Sequence, residues 1–481
     1  MRLYVVLRYM GVVMLFMSLF MLLSAGISFV SARDTAFYPL LLSALLTALL
    51  GAFPLVFVER QSQISTKEGY CIVVGSWLLA CVVTMFPYLI WGGEFTLVNA
   101  WFESVSGLTT TGASILTDVE ALPRGLLFWR MMSTWIGGMG VILFTLIILP
   151  TIGRSKMTLS NMEISSIAKE SYHYRTQMIV QIILFVYVGL TVITTLSLKA
   201  AGMNWFDALT HAMSTSATSG FGTKNSSIAH FDSVLIEWIV IFGMVAAGTH
   251  FGLIYATITG KRNNIFRSEV MKVYIGVIVV CSLLIAFNLY FTGAYSEPAL
   301  ALRRAVFQFV SLFTTTGYAT ANSAVWPPFT ISLLIFASII CACSGSTTGG
   351  IKTNRMVIAA KMFYNSMRQQ QHPNAVLRVK IDGVIQERDA LHSVAIFIIL
   401  YLTLVLFGTM VSTLFGVDVL TAFSISIACI GNVGPGFGEV GSLDNYASLP
   451  TVLKCVLSFL MLLGRLEIFG LIQLFFLKWW R

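Results

Sequence analysis

The sequence predicts an all-α, polytopic membrane protein: two N-terminal helices, then four repeats, each a long helix, a short helix and a second long helix. Three observations predict it. The 481 residues are 57% hydrophobic and only 11% charged, with a mean hydropathy of +0.84, whereas soluble domains carry about 25% charged residues. Apolar runs of about 18 residues or more, long enough to span a bilayer, recur from end to end. Four polar stretches centred on Gly112, Gly220, Gly317 and Gly434 each follow a short apolar piece and precede a turn.

The N-terminal pair occupies 1–68. Its helices are expected over 3–30 and 37–58, joined by Arg33–Tyr38 and followed by the polar connector Glu59–Glu68. Arg2 and Arg8 precede the first apolar run, and Val30-Ser31-Ala32 resembles a signal-peptidase site. The run from Tyr9 to Val30 nevertheless exceeds the roughly 7–15 residues of a signal peptide's apolar core, so it reads as a retained helix.

The first repeat, 69–176, has helices expected over 69–92, 95–108 and 124–150, with TTTGAS at Thr109–Ser114 and the basic connector Thr151–Thr176. The second, 177–271, has 177–200, 204–217 and 234–259, with ATSGFG around Gly220. The third, 272–389, has 272–293, 298–313, TTTGYA around Gly317, then Trp326–Pro328 and a long segment to 366. The fourth, 390–481, has 390–416, 418–430 and 449–479, with GNVGPG around Gly434. Each repeat is a subdomain, since the period is longer than that of solenoids. The short pieces, about 13–16 residues at 1.5 Å each, reach about 20–24 Å and cannot cross roughly 30 Å of hydrocarbon. They are expected to be re-entrant.

Lysine and arginine orient the chain. With Arg2 inside, ten spans put the connectors at 59–68, 151–176, 260–272 and 361–389 inside, and with them 21 of the 30 Lys and Arg residues. The reversed orientation would break the positive-inside rule. The net charge of +9 follows from this asymmetry and does not indicate nucleic-acid binding. Twelve of the 21 acids then fall outside, among them Glu94, Glu103, Asp118, Glu120, Asp207 and Asp418. They read as loop-solvating charges and helix-start acids, Asp207 and Asp418 in particular. The alternative is a collective field that gathers cations at a pore mouth. The seven cysteines have no disulfide or zinc spacing and read as small buried hydrophobes.

The glycine stretches carry the chemistry. Irregular backbone at membrane depth is tolerated only where it lines a cavity or is buried in protein. A cation crossing a bilayer must exchange its hydration shell for other ligands, and four-fold rings of backbone carbonyls of the T-V-G-Y-G type do this for K+. Successive carbonyls aimed at one axis require glycine-type φ values. Aligned on the glycine, the stretches read Thr110-Thr111-Gly112, Thr218-Ser219-Gly220, Thr315-Thr316-Gly317 and Asn432-Val433-Gly434. The next position is aromatic only at Phe221 and Tyr318, and a second glycine survives only at Gly222 and Gly436. Such an uneven filter is expected to hold one or two strong sites, near the carbonyls just before and at each central glycine. The fold class becomes four helix–pore helix–helix units in pseudo-four-fold symmetry around one ion pore.

Two further features interrupt the apolar pattern. Gly345-Ser346-Thr347-Thr348-Gly349-Gly350, within the segment 344–353, consists only of Gly, Ser and Thr and should not hold a regular lipid-facing helix. It reads as a break in the helix at membrane depth, with a small-residue packing interface as the alternative. Arg465 is expected near the centre of the last helix, where an arginine is costly unless it faces water or a partner. Glu467, two positions on, points elsewhere, and Lys454, nearer the helix end, is expected to snorkel. His211 and His250 have no metal-ligand partner at helical spacing and read as hydrogen-bonded core residues. There is no nucleophile–base arrangement or P-loop, so the chain does not read as an enzyme.

With these residues in hand, the chain resembles, over almost its whole length, the TrkH/TrkG potassium-uptake membrane subunits of the Trk–Ktr–HKT superfamily. The N-terminal pair favours the TrkH-like type over the shorter KtrB type. The resemblance implies K+ as the ion bound in the filter, and makes Gly112 significant, because a serine there accompanies Na+ permeation in plant members. It implies that the 344–353 loop obstructs the pore below the filter and that Arg465 faces the pore there, repelling cations or pairing with loop carbonyls. It further implies a homodimer with one pore per protomer, a cytosolic nucleotide-binding regulatory subunit (TrkA-like), and a bacterial inner membrane location with the N-terminus cytoplasmic. The basic inner connectors suit anionic membrane lipid or an acidic partner. The rival function is a secondary transporter, proton-coupled, of K+ or a small organic solute.

Overall fold

The computed structural model describes residues 2–31, 33–59, 65–148, 176–261, 264–375 and 377–472. The first two helices, α1 (Leu3–Val30) and α2 (Phe37–Phe57), pack on each other, and α1 also lies against α3 (Thr66–Thr84) and α6 (Arg124–Ile148). Gly11 and Gly51 let α1 and α2 approach so closely that a Cβ on either would strike the other's backbone. Helix α3 starts at a capping box, Ser65 accepting from the Glu68 N–H while Glu68 accepts from the Ser65 N–H. Glu68 also pairs with Arg2 at 3.0 Å, tying the N-terminus to the start of α3.

The expected helix over 69–92 is divided at Met85 into α3 and α4 (Phe86–Trp91). Pro87, which has no N–H to donate, begins the new piece. The short helix α5 (Leu97–Leu108) and the long α6 complete the repeat. The connector expected over 151–176 lies outside the described residues apart from its last member. The second repeat contains α7 (Thr176–Ala200), the short α8 (Trp205–Ala217), and α9 (Val234–Ala247) with α10 (Phe251–Ile258). The last two were expected as one straight helix over 234–259, but they meet at a bend of 102°. The third repeat has α11 (Glu269–Phe291), the short α12 (Pro298–Phe313), α13 (Pro328–Ile340) and α14 (Thr353–Gln371), with the Gly/Ser/Thr segment between the last two. A two-residue hairpin pairs β1 (Lys380–Ile381) with β2 (Val384–Ile385). The fourth repeat has α15 (Arg388–Leu414), the short α16 (Val419–Ile430), α17 (Thr451–Arg465) and α18 (Phe469–Ile472).

The last expected helix, 449–479, stops at Arg465. Glu467 and Ile468 adopt left-handed φ of 52° and 58°, and their N–H groups close the helix end on the Gly464 and Leu463 carbonyls. Residues 473–479 lie outside the described residues. Among the described residues, six helices are long and apolar enough to cross a membrane, or seven if the bent pair is one span. The sequence suggests ten. The difference is α6, whose end lies at the limit of the described residues, the interrupted pair α13 and α14, and the shortened α17.

The short helices place the centre. Each packs against the second long helix of the preceding repeat: α8 on α6, α12 on α9, α16 on α13 and, closing the circle, α5 on α17. Three start with a polar cap, Thr96 on α5, Asn204 on α8 and Asp418 on α16, while α12 starts with proline at its first turn. Asp207 is indeed a first-turn acid, and Asp418 is the cap itself.

Candidate functional site

All four short helices end at a glycine stretch, and all four end in the same way. The N–H groups of Thr110, Thr218, Thr315 and Asn432 donate three residues back, to Gly107, Thr215, Leu312 and Cys429, at 3.0 to 3.3 Å. The next N–H in each, on Thr111, Ser219, Thr316 and Val433, donates five residues back, to Ser106, Ser214, Ser311 and Ala428, at 2.8 to 3.1 Å. This closure puts the first residue of each set in the left-handed region, with φ of 56°, 54°, 54° and 53°. Two residues later the glycines stand at 80°, 73°, 78° and 96°. Left-handed glycine is cheap. Left-handed threonine is not, and it persists only where surrounding contacts demand it.

The stretches meet in cyclic order. A Cβ added to Gly112 would collide with the Ser219 carbonyl, to Gly220 with the Thr316 carbonyl, to Gly317 with the Val433 carbonyl and to Gly434 with the Thr111 carbonyl. Thus glycine is required four times over, both by φ and by the neighbouring repeat. Side chains tie the backs of the stretches: Thr109 to Thr111 at 2.7 Å, Thr314 to Thr316 at 2.8 Å, Ser214 to Ser219 at 3.0 Å, and Asn432 Nδ2 across to Thr111 Oγ1 at 3.0 Å.

The carbonyls are a different matter. Among the described residues, no donor reaches the carbonyl oxygens of Thr110, Thr111, Thr218, Ser219, Thr315, Thr316, Asn432 or Val433, although all eight residues are buried. Buried backbone acceptors are paired in the great majority of cases. Here a concentrated set is not, and four helix C-termini add their negative ends to it. No cluster of His, Cys, Asp or Glu able to hold a metal occurs among the described residues. The ring thus offers a cation oxygen ligands, its backbone carbonyls and the hydroxyls of its threonines and serine. An open cavity of about 130 Å³ lies on one side, bordered by all four central glycines together with Ser114, Lys224, Asn225 and Asp444.

Behind the ring the structure overturns one part of the acid pattern. Glu103 is not a mouth charge. It is fully buried, accepts from the Ile115 N–H at 3.0 Å and Ser114 Oγ at 3.1 Å, and pairs with Arg130 Nε at 2.6 Å. Arg130, also buried, donates to the Gly222 carbonyl at 3.2 Å and lies over the Phe221 ring at 3.5 Å. One ion pair therefore braces the first two stretches. Glu237 is likewise buried and faces Arg303 and Arg304, and Arg304 donates to the Thr320 carbonyl. Lys454 does not snorkel; it is 5% exposed and donates to Asn99 Oδ1 and the Ala447 carbonyl. Asp118 and Glu120 do remain exposed. Asn225 donates to Asp118 at 2.8 Å and holds its carboxyl below the ordinary range.

On the opposite side of the ring sits the loop. Thr347 donates to the Ser216 carbonyl at 3.1 Å, Thr218 Oγ1 to Thr347 Oγ1 at 3.3 Å, and the Gly349 N–H to Thr315 Oγ1 at 3.3 Å. Gly349 lies so near Gly431 that a Cβ would collide with its carbonyl. Arg465 closes over the loop: Nη1 donates to the Thr347 carbonyl at 2.7 Å and Nη2 to the Gly137 carbonyl at 2.8 Å. It stands at the last turn of α17 and not mid-helix. Glu467, beyond the helix end, turns away from it to pair with Lys352 at 2.8 Å and Arg355 at 2.5 Å. A second cavity, of about 80 Å³, is bounded by Gly345–Gly350, Arg465 and Glu467.

The bend between α9 and α10 is part of the same assembly. The Gly248 carbonyl accepts from the Cys343 N–H at 3.1 Å, and the Phe251 N–H donates to the Gly345 carbonyl at 3.0 Å. His250 caps α10 by accepting from the Gly252 N–H at 3.0 Å. His211, buried as expected, bonds the Asp207 carbonyl at 2.8 Å, whereas His250 is hydrogen-bonded but only half-buried. Five cysteines are buried as expected; Cys71 is half-buried and Cys455 exposed.

Every residue singled out from the sequence, in the four stretches and in the loop with Arg465, falls in this one column. Sequence reasoning missed the left-handed threonines, the Glu103–Arg130 brace, Gly137 and the Gly248–His250 bend. Asn432, a residue tolerant of left-handed φ, was the one available sign of the first. The glycine pair at 137–138 was a sign of close approach.

This is a multi-pass α-helical membrane protein whose short helices converge on a ring of unpaired backbone oxygens, a class suited to passing cations. The family model described as TrkH, cation transport protein, matches residues 41–479, and the chain belongs to that family. It is similar to the Trk system potassium uptake protein TrkH of Escherichia coli (strain K12), 35% identical over 430 residues, covering 88% of each chain. It is also similar to TrkH of Halomonas elongata, 34% identical with full coverage of both, and to TrkG of Escherichia coli (strain K12), 34% identical over 87% of this chain and 86% of that one. The crystal structure of the potassium transporter TrkH from Vibrio parahaemolyticus superimposes with a TM-score of 0.90 at 30% identity, covering all of both chains. These relatives are named as transport proteins, in keeping with the reading that the chain is no enzyme.

Proposed function

We propose that this chain is the membrane subunit of a K+ uptake system and passes K+ through a carbonyl-lined filter made of Thr110–Gly112, Thr218–Gly220, Thr315–Gly317 and Asn432–Gly434. The observation that carries the reading is the set of eight buried backbone carbonyls without donors, closed in cyclic order. Dehydrated K+ accepts oxygen ligands of this kind. The names of the relatives supply K+ as the ion.

On this reading the units 1–68, 69–176, 177–271, 272–389 and 390–481 are the helix pair and four pore repeats in pseudo-four-fold symmetry. The segment Gly345–Gly350 and Arg465 form the gate. The loop lies against the lower ends of three stretches, and the guanidinium adds a positive charge that opposes cation passage. Positive-inside bias supports a cytoplasmic N-terminus in a bacterial inner membrane. A homodimer, contacts with anionic lipid and a TrkA-like cytosolic regulatory partner complete the assembly.

The test is Rb+ uptake into liposomes containing the full chain, driven by a K+ gradient, with and without a pH gradient. Rb+ uptake blocked by external K+ is expected. No uptake overturns the proposal, and uptake that requires the pH gradient replaces a channel-like path with a proton-coupled carrier.

A further inference from the structure

The four quarters of the ring are not equal at the level of the central glycine. Tyr446 is 2% exposed, and its hydroxyl donates to the Gly434 carbonyl at 2.7 Å. Among the described residues, no donor reaches the corresponding carbonyl of Gly112, Gly220 or Gly317. Gly434 also departs in conformation, with φ of 96° against 80°, 73° and 78° for the others. The residue after it is proline, whose ring lies against Gly317. The Tyr446 N–H meanwhile donates to the Ser114 carbonyl at 2.8 Å, so this one residue spans the seam between the fourth and first stretches.

A carbonyl that already accepts a tyrosine hydroxyl has part of its electron density committed and its direction set by a partner outside the ring. It is a poorer ligand for a cation than a free carbonyl. The two levels before the glycine have four free carbonyls each, whereas the glycine level has three free and one engaged.

We propose that Tyr446 is a positioning residue that makes the fourth quarter weak at the glycine level, so that a monovalent cation is held chiefly between the two lower levels. This rests on the filter reading above. It places the strong site one level deeper than an even ring would, and it gives Tyr446 a part in affinity without contact with the ion.

The experiment compares wild type, Tyr446→Phe and Gly112→Ser in Rb+ flux into liposomes. Phenylalanine keeps the ring beside Phe102, 5.5 Å away between centroids, and removes only the hydroxyl. Freeing one carbonyl is expected to lower the half-saturating Rb+ concentration by about fivefold, the worth of one hydrogen bond, and to raise K+ over Na+ preference, with maximal flux altered less than affinity. Unchanged half-saturation and selectivity in a folded Tyr446→Phe protein, or loss of its flux, overturns the inference. If Gly112→Ser still shifts selectivity in that case, the filter reading stands without it; if wild type carries no Rb+, the filter reading itself has failed. Should Tyr446→Phe not fold, Tl+ density in the wild type decides: the strongest peak between the two lower levels supports the inference, and an equal peak at the glycine level overturns it.

Discussion

The ring and the loop beneath it are both built of exposed backbone and glycine, and they are held in opposite ways. Each stretch of the ring is closed onto its own short helix by the same two backbone hydrogen bonds, four times over. The loop's end is tied within its own repeat, Lys352 and Thr353 donating to the Ile340 and Ala342 carbonyls. Its middle is held mostly by other repeats, through Phe251 on Gly345 and Ser216 on Thr347 from the second and Arg465 on Thr347 from the fourth, with Thr315 of its own repeat on Gly349. A structure closed locally keeps its shape when its neighbours shift. One held by two other repeats loses contacts when either of them moves. If the ring and the loop act as proposed, that difference suits a rigid selector above a movable barrier.

The comparison can be broken in several places. The largest effect is expected behind the ring. Glu103→Gln leaves Arg130 buried without its counter-charge, which should cost about 3–5 kcal/mol and appear as a lower unfolding midpoint in detergent. An unchanged midpoint would mean the ring does not depend on that brace. Next comes the loop. Arg465→Ala removes two charge-assisted hydrogen bonds, and a net loss of about 2 kcal/mol would favour the open state roughly thirtyfold. Deletion of Gly345–Gly350 should act in the same direction, towards constitutive Rb+ flux. Flux that stays at the wild-type level in both variants would sink the barrier assignment.

Gly112→Ser probes the rigid half. Its Cβ would press on the Ser219 carbonyl of the next stretch, so K+ over Na+ preference should fall by about tenfold. Identical selectivity would count against the ring as selector. The smallest effect lies at the exposed mouth. Asn225 depresses the Asp118 carboxyl, so its contribution is present above the unfolded pKa of about 3.9 and is lost as pH falls through the lower folded value. Asp118→Asn should therefore differ from wild type in unfolding midpoint near neutral pH and converge with it in acid; a gap that persists in acid would contradict this.

Much of the site was legible beforehand because its signals are local. A glycine following short polar residues, repeated at the end of four apolar pieces too short to span, points to re-entrant helices and irregular backbone at one depth. The run Gly345–Gly350 could not be a lipid-facing helix whatever surrounded it. Other features were misread for a common reason. Glu103 and Arg130 look like surface charges along the chain, since the partner that buries each is 27 residues away. Arg465 looks mid-helix because nothing local announces the left-handed turn at Glu467 and Ile468. The turn accompanies the pairing of Glu467 with Lys352 and Arg355 from another repeat.

The sequence by itself determined the class of protein, the positions of the short helices and the glycines on which they end. These follow from hydropathy, length and the steric freedom of one residue type. Only the tertiary structure decided which carbonyls stay free, where α9 and α17 stop, and which quarter of the ring is engaged by Tyr446. Those outcomes rest on hydrogen bonds between segments far apart in the chain, and the directions of such bonds are set only when the repeats close on one another.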